Sequence, residues 1–442
     1  MHIIKNIFIA LFGLAVLFLM IMPNAEEKND GKTHVKYWYV AGKEDDVPYG
    51  VIKFNVSQDS VIIDATPIPW NEHEKKILTA ILSEYPPDVV TLVSTVPKWA
   101  SRRALVMLDD AIKKDNFDTT QFYSALWKEM HYRDRVFALP AYTASFAFFY
   151  NKALFEEAGL DPDKPPRTWD EVREYSKLLT KFEGGNLAQI GYIPPYGNLE
   201  TSFVMSLELD AKYTLNHGTK VNLTSPEIVR SFQEELSLLN DIPVEQINKF
   251  KGGFGFGSQH GFIAGKVAMM ILGNTFIDQI KTYNPGMNYG VAEIPTFEGK
   301  ETKSSTGVWW YAIPRGSKHK KAAWDFMKFA VSKDVQLQEN LTNGQSLFPT
   351  NIQAATDSAF LNYHFAMKIF DKEMRHTESK VICPLVHDVF WREYAFARER
   401  VLYRNQTPQE ALEQAQRTIQ VSLDKAIEYD NYVDKELKFE KL

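Results

Sequence analysis

The residues able to do chemistry are many, but their spacing matches no reaction motif. Lys251 to Ser258 (KGGFGFGS) is glycine-rich, yet it fits neither the dinucleotide fingerprint G-x-G-x-x-G nor the phosphate loop G-x-x-x-x-G-K-[ST]. Gly261 and Gly265 stand at the wrong distance, and Val267 follows Lys266. The stretch reads as a loop. His73-Glu74 lacks the second histidine of the zinc motif H-E-x-x-H, since Ile77 occupies that place, and the other histidines offer no ligand spacing. There is no G-x-S-x-G elbow. The single cysteine, Cys383, has only a distant formal partner in His387 and reads as a buried thiol. Asp109-Asp110 and Glu156-Glu157 fall in charge-mixed helical contexts and read as solvated faces, although sequence alone does not decide whether folding brings two carboxylates to glycosidase spacing.

Binding chemistry is better represented. The chain carries 9 Trp, 20 Tyr and 29 Phe, 13% of its residues, and rings left over from the core are suited to stacking on flat apolar faces. With 50 basic against 56 acidic residues the net charge is only −6, so no nucleic-acid partner is expected. The basic run Lys318-His319-Lys320-Lys321 is too short and isolated to change that. One cysteine excludes a disulfide framework and a four-thiolate zinc site, and neither a metal nor another cofactor is expected.

The elements that must position these residues read as α/β. A length of 442 residues gives a prior of two or three domains of roughly 150 each. Strand candidates are 35–40, 60–65, 88–93, 144–150, 267–272, 289–294 and 308–313, with amphipathic helices between them, such as 72–82 with Ile77, Ile81, Leu78 and Leu82 on one stripe. Thr168 with Glu171, and Thr407 with Glu410 after Pro408, match capping boxes; Ser225 and Ser317 look like further N-caps. Trp127, Trp169 and Trp324 sit inside amphipathic helices and are expected in the core. At the start of the chain, Ile7 to Met22 is uncharged and apolar behind Lys5. It is shorter than the roughly 20 residues that span a bilayer, and it has the layout of a secretory signal, although Pro23 would stand at −3 of a cleavage after Ala25. Residues 1–25 are therefore expected to be a signal peptide or an uncleaved N-terminal anchor, and 26–33 a polar linker.

From Phe137 the chain reads FALPAYTASFAFFYNKALFEEAGLDPDKPPRTWDEVREYSKLLTK: a strand, a Tyr142-Thr143 turn, a second strand, a helix stopped by Gly159, and a Pro-rich loop into the helix capped by Thr168. This stretch resembles the extracellular solute-binding proteins of ATP-binding-cassette importers, in particular the sugar- and maltodextrin-binding group. Pro87 to Val90, Leu105 to Asp110, Phe262 to Met270 (FIAGKVAMM), Asn288 to Thr296 (NYGVAEIPT), Gly307 to Pro314, Asn343-Gly344, Pro349-Thr350 and the helix 408–427 continue the resemblance in family order.

The resemblance implies a two-lobed periplasmic-binding fold whose chain crosses a hinge near Tyr142, Pro295 and Gly344. The N-terminal lobe would comprise 33–142 and 296–343, and the C-terminal lobe 143–295 and 344–442. It implies a monomer that closes on a carbohydrate and docks on membrane permease subunits without catalysis. Residues chemically suited to sugar in cleft-lining segments are Trp38, Trp99, Tyr142, Thr143, Asn274, Trp309, Trp310 and Trp391. Because neighbouring strand residues face opposite ways, one of Trp309 and Trp310 is expected at the cleft and the other in the core. The chain departs from the family at Gly273-Asn274-Thr275-Phe276, where Gly-x-Trp is common, and at Trp309-Trp310, where small residues are common. No cysteine of a lipobox is present, so the protein is expected outside the cytoplasm without a lipid anchor. Alternatives are a glycerol phosphodiester or polyol ligand, with Arg102-Arg103 as the phosphate partner, a ligand-presenting sensor partner, and a secreted glycoside-active enzyme.

Overall fold

Runs rich in Val, Ile, Tyr and Phe build the strands, since branched and aromatic side chains suit a pleated, buried surface. The computed structural model describes residues 30–40, 47–194, 200–239, 242–342 and 347–442. The apolar run 7–22, the Ala25 junction and the crossing expected at Gly344 lie outside the described residues. The principal strands are β1 (Thr33–Val40), β2 (Val61–Ile68), β3 (Val89–Leu92), β4 (Ala138–Ala144), β5 (Phe146–Asn151), β6 (Lys181–Glu183), β7 (Asn186–Tyr192), β8 (Val267–Gly273), β9 (Tyr289–Ala292) and β10 (Gly307–Ala312). The helices that matter below are α1 (Tyr49–Ser57), α2 (His73–Leu82), α3 (Val96–Ala100), α4 (Trp169–Leu179), α5 (Thr201–Glu208), α6 (Pro226–Ser237), α7 (Lys320–Ala330), α8 (Lys333–Thr342), α9 (Met367–Arg375), α10 (His387–Leu402) and α11 (Pro408–Glu436).

Among the described residues the strands form two five-stranded sheets, β2-β1-β3-β10-β4 and β9-β5-β8-β7-β6. One is the floor of the N-terminal lobe, the other of the C-terminal lobe. β1 runs parallel to β2 and β3, whereas β10 runs antiparallel to β3 and β4. β3 and β8 are buried along their whole length, as strands covered on both faces by helices must be. β4 runs into β5 through Ser145, where the chain leaves one sheet for the other. The Tyr142-Thr143 turn read from the sequence is instead strand, because Thr143 exchanges backbone hydrogen bonds with Phe348 at 3.2 and 2.8 Å and is fully buried.

The chain returns between β9 and β10. Beyond residue 347 the expected single C-terminal segment is divided: Asn351 bonds Gln336 and Gln121, which keeps that stretch on the N-terminal lobe, and only at α9, packed on β5, does the chain move over. β7 escaped the sequence reading because Asn186, Gln189 and Gly191 interrupt its apolar pattern. Gly191 is needed there, as a Cβ would lie 2.3 Å from the Cα of Ser176 on α4.

Both capping boxes form, at Thr168 and Thr407. Ser317 is not an N-cap. Its hydroxyl and the N–H groups of Lys318 and His319 all donate to Asp88 Oδ1 at 2.9–3.0 Å, so a carboxylate from the start of β3 fixes the entry to α7. Ser225 occupies an N-cap position, but its hydroxyl makes no capping bond. On α2 it is His73, Ile77 and Ala80 that are buried, and Leu82 is exposed.

Candidate functional site

Open sheets place ligands beyond the carboxyl ends of their strands, and Trp70 lies there, just after β2. It is 59% exposed and meets Trp309 of β10 edge-on, with ring centroids 6.4 Å apart. Trp309 and Trp310, neighbours on one strand, face opposite ways, with a break in the register against β4 between them. Trp310 is 1% exposed in the core, whereas Trp309 is half-buried on a strand of the N-terminal sheet and packs against the C-terminal-lobe cluster that holds Phe146, Phe148 and Tyr192. Trp309 therefore sits at the seam between the lobes. Opposite it on β4 is Tyr142, half-buried, its hydroxyl 2.8 Å from that of Tyr311. Trp38 is half-buried on β1, alternating with the buried Tyr37 and Tyr39.

A second set of groups surrounds a cavity of about 490 Å³ in the C-terminal lobe, lined in part by Trp391, Lys380, Glu200, His387, Asp388 and Arg398. Trp391 is held by α10. Its indole N–H donates to the Lys380 carbonyl at 3.3 Å, and its ring packs edge-on against Phe203 at 5.0 Å. The Lys380 ammonium lies 5.6 Å over the same ring and 3.1 Å from Glu200. Burial alone would raise the Glu200 pKa, but the charge of Lys380, backbone hydrogen bonding and the charge of Arg398 outweigh it and hold the carboxyl below its usual range. Arg398 donates to Glu235 at 2.8 Å and to the Pro194 carbonyl at 2.6 Å. Asp388 meets Lys98 of α3 at 2.9 Å, and Lys98 also meets Glu74, so this contact joins the two lobes. Burial pushes the His387 imidazole down to about 4, leaving it neutral at pH 7, and its Nδ1 has no hydrogen-bond partner among the described residues.

The structure thus brings Trp309 and Tyr142 together with Trp70, and sets Trp391 in a separate polar pocket. Three residues expected at the site lie elsewhere. Trp99 is 4% exposed, its indole donating to Ser94 Oγ at 2.8 Å. Thr143 and Asn274 are fully buried hinge residues: Asn274 Oδ1 accepts from Ser145 N–H at 2.9 Å, and Thr143 Oγ1 is hydrogen-bonded to Thr306 Oγ1. Polar side chains next to a strand break satisfy the backbone groups that the break leaves open. Arg103, offered as a phosphate partner, points away into ion pairs with Asp430 and Asp434. Trp169 and Trp324 are core, their indoles bonded to Glu208 and Asp115 at 2.9 Å, and Trp127 is half-buried. The Cys383 thiol is buried and raised to about 12, hence unreactive. Trp70 was overlooked, though its place after a strand was signal enough; Lys380, Glu200 and Arg398 come from separate segments that share no motif.

The family profile of the bacterial extracellular solute-binding proteins matches residues 61–337. The sn-glycerol-3-phosphate-binding periplasmic protein UgpB of Brucella melitensis is 23% identical over 343 residues, covering 71% of this chain and 74% of that one. Among solved structures, CpMnBP1 with mannotriose bound superposes with a TM-score of 0.74 at 26% identity, covering 88% of this chain and all of the other. The sugar-binding protein MalE of Xanthomonas citri gives a TM-score of 0.74 at 18% identity, covering 92% and 100%. These relatives are binding proteins. No helix among the described residues is long and apolar enough to cross a membrane. Its profile match spans more than half of the sequence and its two sheets have the two-lobed arrangement, so the chain belongs to the bacterial extracellular solute-binding proteins.

Proposed function

We propose that the protein captures a neutral carbohydrate, an oligosaccharide in particular, between its lobes and delivers it, outside the cytoplasm, to the permease subunits of an ATP-binding-cassette importer. The observation that carries this reading is the half-buried Trp309 at the seam of the two lobes with the exposed Trp70 at its edge. Indole faces match the C–H faces of sugar rings, and two rings set at an angle present more than one such face. The likeness to a mannotriose-bound protein supports an oligosaccharide. Binding acts by population shift: a ligand touching both lobes favours the closed form by its differential affinity. Trp309, Trp70, Tyr142, Trp38 and Trp391 are the contacts we assign. We take the protein to act as a monomer, with an N-terminal signal or anchor, and without catalysis.

A glycerol phosphodiester is the second reading, favoured by the UgpB relatives. The pocket cations speak against it. Lys380 faces Glu200, Arg398 faces Glu235 and Lys98 faces both Glu74 and Asp388, so each positive charge is already balanced. A phosphate ligand is recognised by cations it does not have to share. Thermal unfolding with mono-, di- and oligosaccharides and with sn-glycerol 3-phosphate tests the choice, since ligand at 100 times Kd adds about 2.7 kcal/mol. A rise in Tm with an oligosaccharide is expected. A rise with the phosphate alone overturns the sugar reading.

A further inference from the structure

Helix α11 begins on one lobe and ends on the other. Its first half is fixed to the C-terminal lobe: Leu412, Ala415 and Ile419 share a core cluster with Phe203 and Phe232, and Gln416 and Gln420 accept hydrogen bonds from Leu223 N–H and Val221 N–H at 2.7 and 2.8 Å. Its last turns reach the N-terminal lobe. Arg133 meets Asp430 and Asp434 at 2.6 Å, and the fully buried side chain of Arg103 meets Asp434 at 2.7 Å. Both arginines hold a left-handed backbone, φ 57° and 50°, uncommon for a non-glycine residue.

The segment beyond the helix is fastened more closely still. The Arg103 guanidinium lies 3.9 Å over the ring of Phe439, which packs on Phe137 at 5.0 Å. Glu440 and Lys441 pair in parallel with Val106 and Met107 of the N-terminal lobe. Glu440 also accepts from Gly316 N–H at 2.9 Å, and Lys441 reaches Asp110 at 3.2 Å. This connection is independent of the hinge at Ser145. When the lobes rotate about that hinge, α11 must bend or one of its ends must let go.

We propose that residues 430–442 form a strap that holds the two lobes together and limits how far the space between them opens. The inference rests on the reading of that space as the ligand cleft, but its test needs no ligand. Ion pairs around a buried guanidinium are costly to break one-sidedly, because the remaining charge stays in a low-dielectric site. A strap of this kind raises ligand affinity by sparing the bound state part of the closing free energy.

Spin labels on cysteines introduced at the exposed positions Lys53 on α1 and Glu174 on α4 report the distance between lobes; Cys383, being buried, stays unlabelled. In the ligand-free full chain, pulsed dipolar spectroscopy is expected to give one narrow distance. Removing residues 438–442 together with Asp434→Asn is expected to lengthen and broaden it by several ångström, and to weaken ligand binding several-fold. Should that variant lose its helical circular dichroism, the milder pair Phe439→Ala and Asp434→Asn decides alone. An unchanged distance distribution in a folded variant overturns the strap. A changed distribution in a protein that binds no carbohydrate keeps the strap and overturns the sugar reading instead.

Discussion

The aromatic residues at the seam and the pocket around Trp391, both assigned to the ligand in the proposal above, differ in the kind of contact they could make. Around Trp309 the contacts are rings and aliphatic groups, with Trp70 edge-on and the Tyr142 hydroxyl hydrogen-bonded to that of Tyr311. Around Trp391 the ring is framed by Lys380, Glu200, Asp388 and Arg398. The first surface supplies contact area with little directional preference. The second supplies donors and acceptors whose charges cancel locally, which suits hydroxyl groups better than ions. On the proposed reading, stacking would account for affinity and the framed pocket for orientation.

The largest break in this comparison is expected from the residue that looks most like a binding residue in sequence and least like one in the fold. Trp310→Ala empties a fully buried site and should cost about 3–5 kcal/mol of stability, read by urea unfolding. Its affinity for sugar, measured on the folded fraction, should hardly change. Trp309→Ala, at a half-buried site, should cost clearly less stability than Trp310→Ala while Kd rises roughly tenfold, about 1.4 kcal/mol. Equal losses of stability with unchanged affinity in both variants would remove the pair from the site. Trp391→Ala sharpens the division further. If orientation is its share, calorimetry should show a smaller loss for a monosaccharide than for an oligosaccharide that fills both surfaces; identical losses for both would contradict the assignment.

How much of this was legible beforehand differs between elements for physical reasons. Most strands and both capping boxes follow from local patterns, because a strand or cap is specified by residues a few positions apart, whereas a crossing near Tyr142 is expected only from the family resemblance. β7 was lost because Gly191, required by the close approach of α4, looks like a breaker. At the site, adjacency on a strand was enough to expect Trp309 and Trp310 to diverge. Thr143 and Asn274 have sugar-binding chemistry, but in the fold the same groups are bonded to Phe348, Thr306 and Ser145, partners that sequence does not reveal. The Trp391 pocket was half legible. Its ring is a single visible residue, while Lys380, Glu200 and Arg398 meet it from segments far apart in sequence.

The smallest expected effect concerns the neutral His387 beside Trp391. Its folded value of about 4 lies below the ordinary value near 6.5, with burial as the cause, so the unfolded chain takes up this proton first as pH falls. Its contribution to stability is complete above about pH 6.5 and is lost progressively towards pH 4. The buried His73, also lowered to about 4 by burial, acts in the same direction from the N-terminal lobe, so both lobes lose stability in acid. His260 is lowered to about 4 by burial as well, so His387→Gln removes one of three such histidines. Urea unfolding at pH 7.5 and pH 5 should then show a shallower decline in the variant than in the parent protein, with the His73 and His260 shares remaining. Parallel declines would mean that His387 is solvated, and the pocket around Trp391 more open to water than its lining suggests.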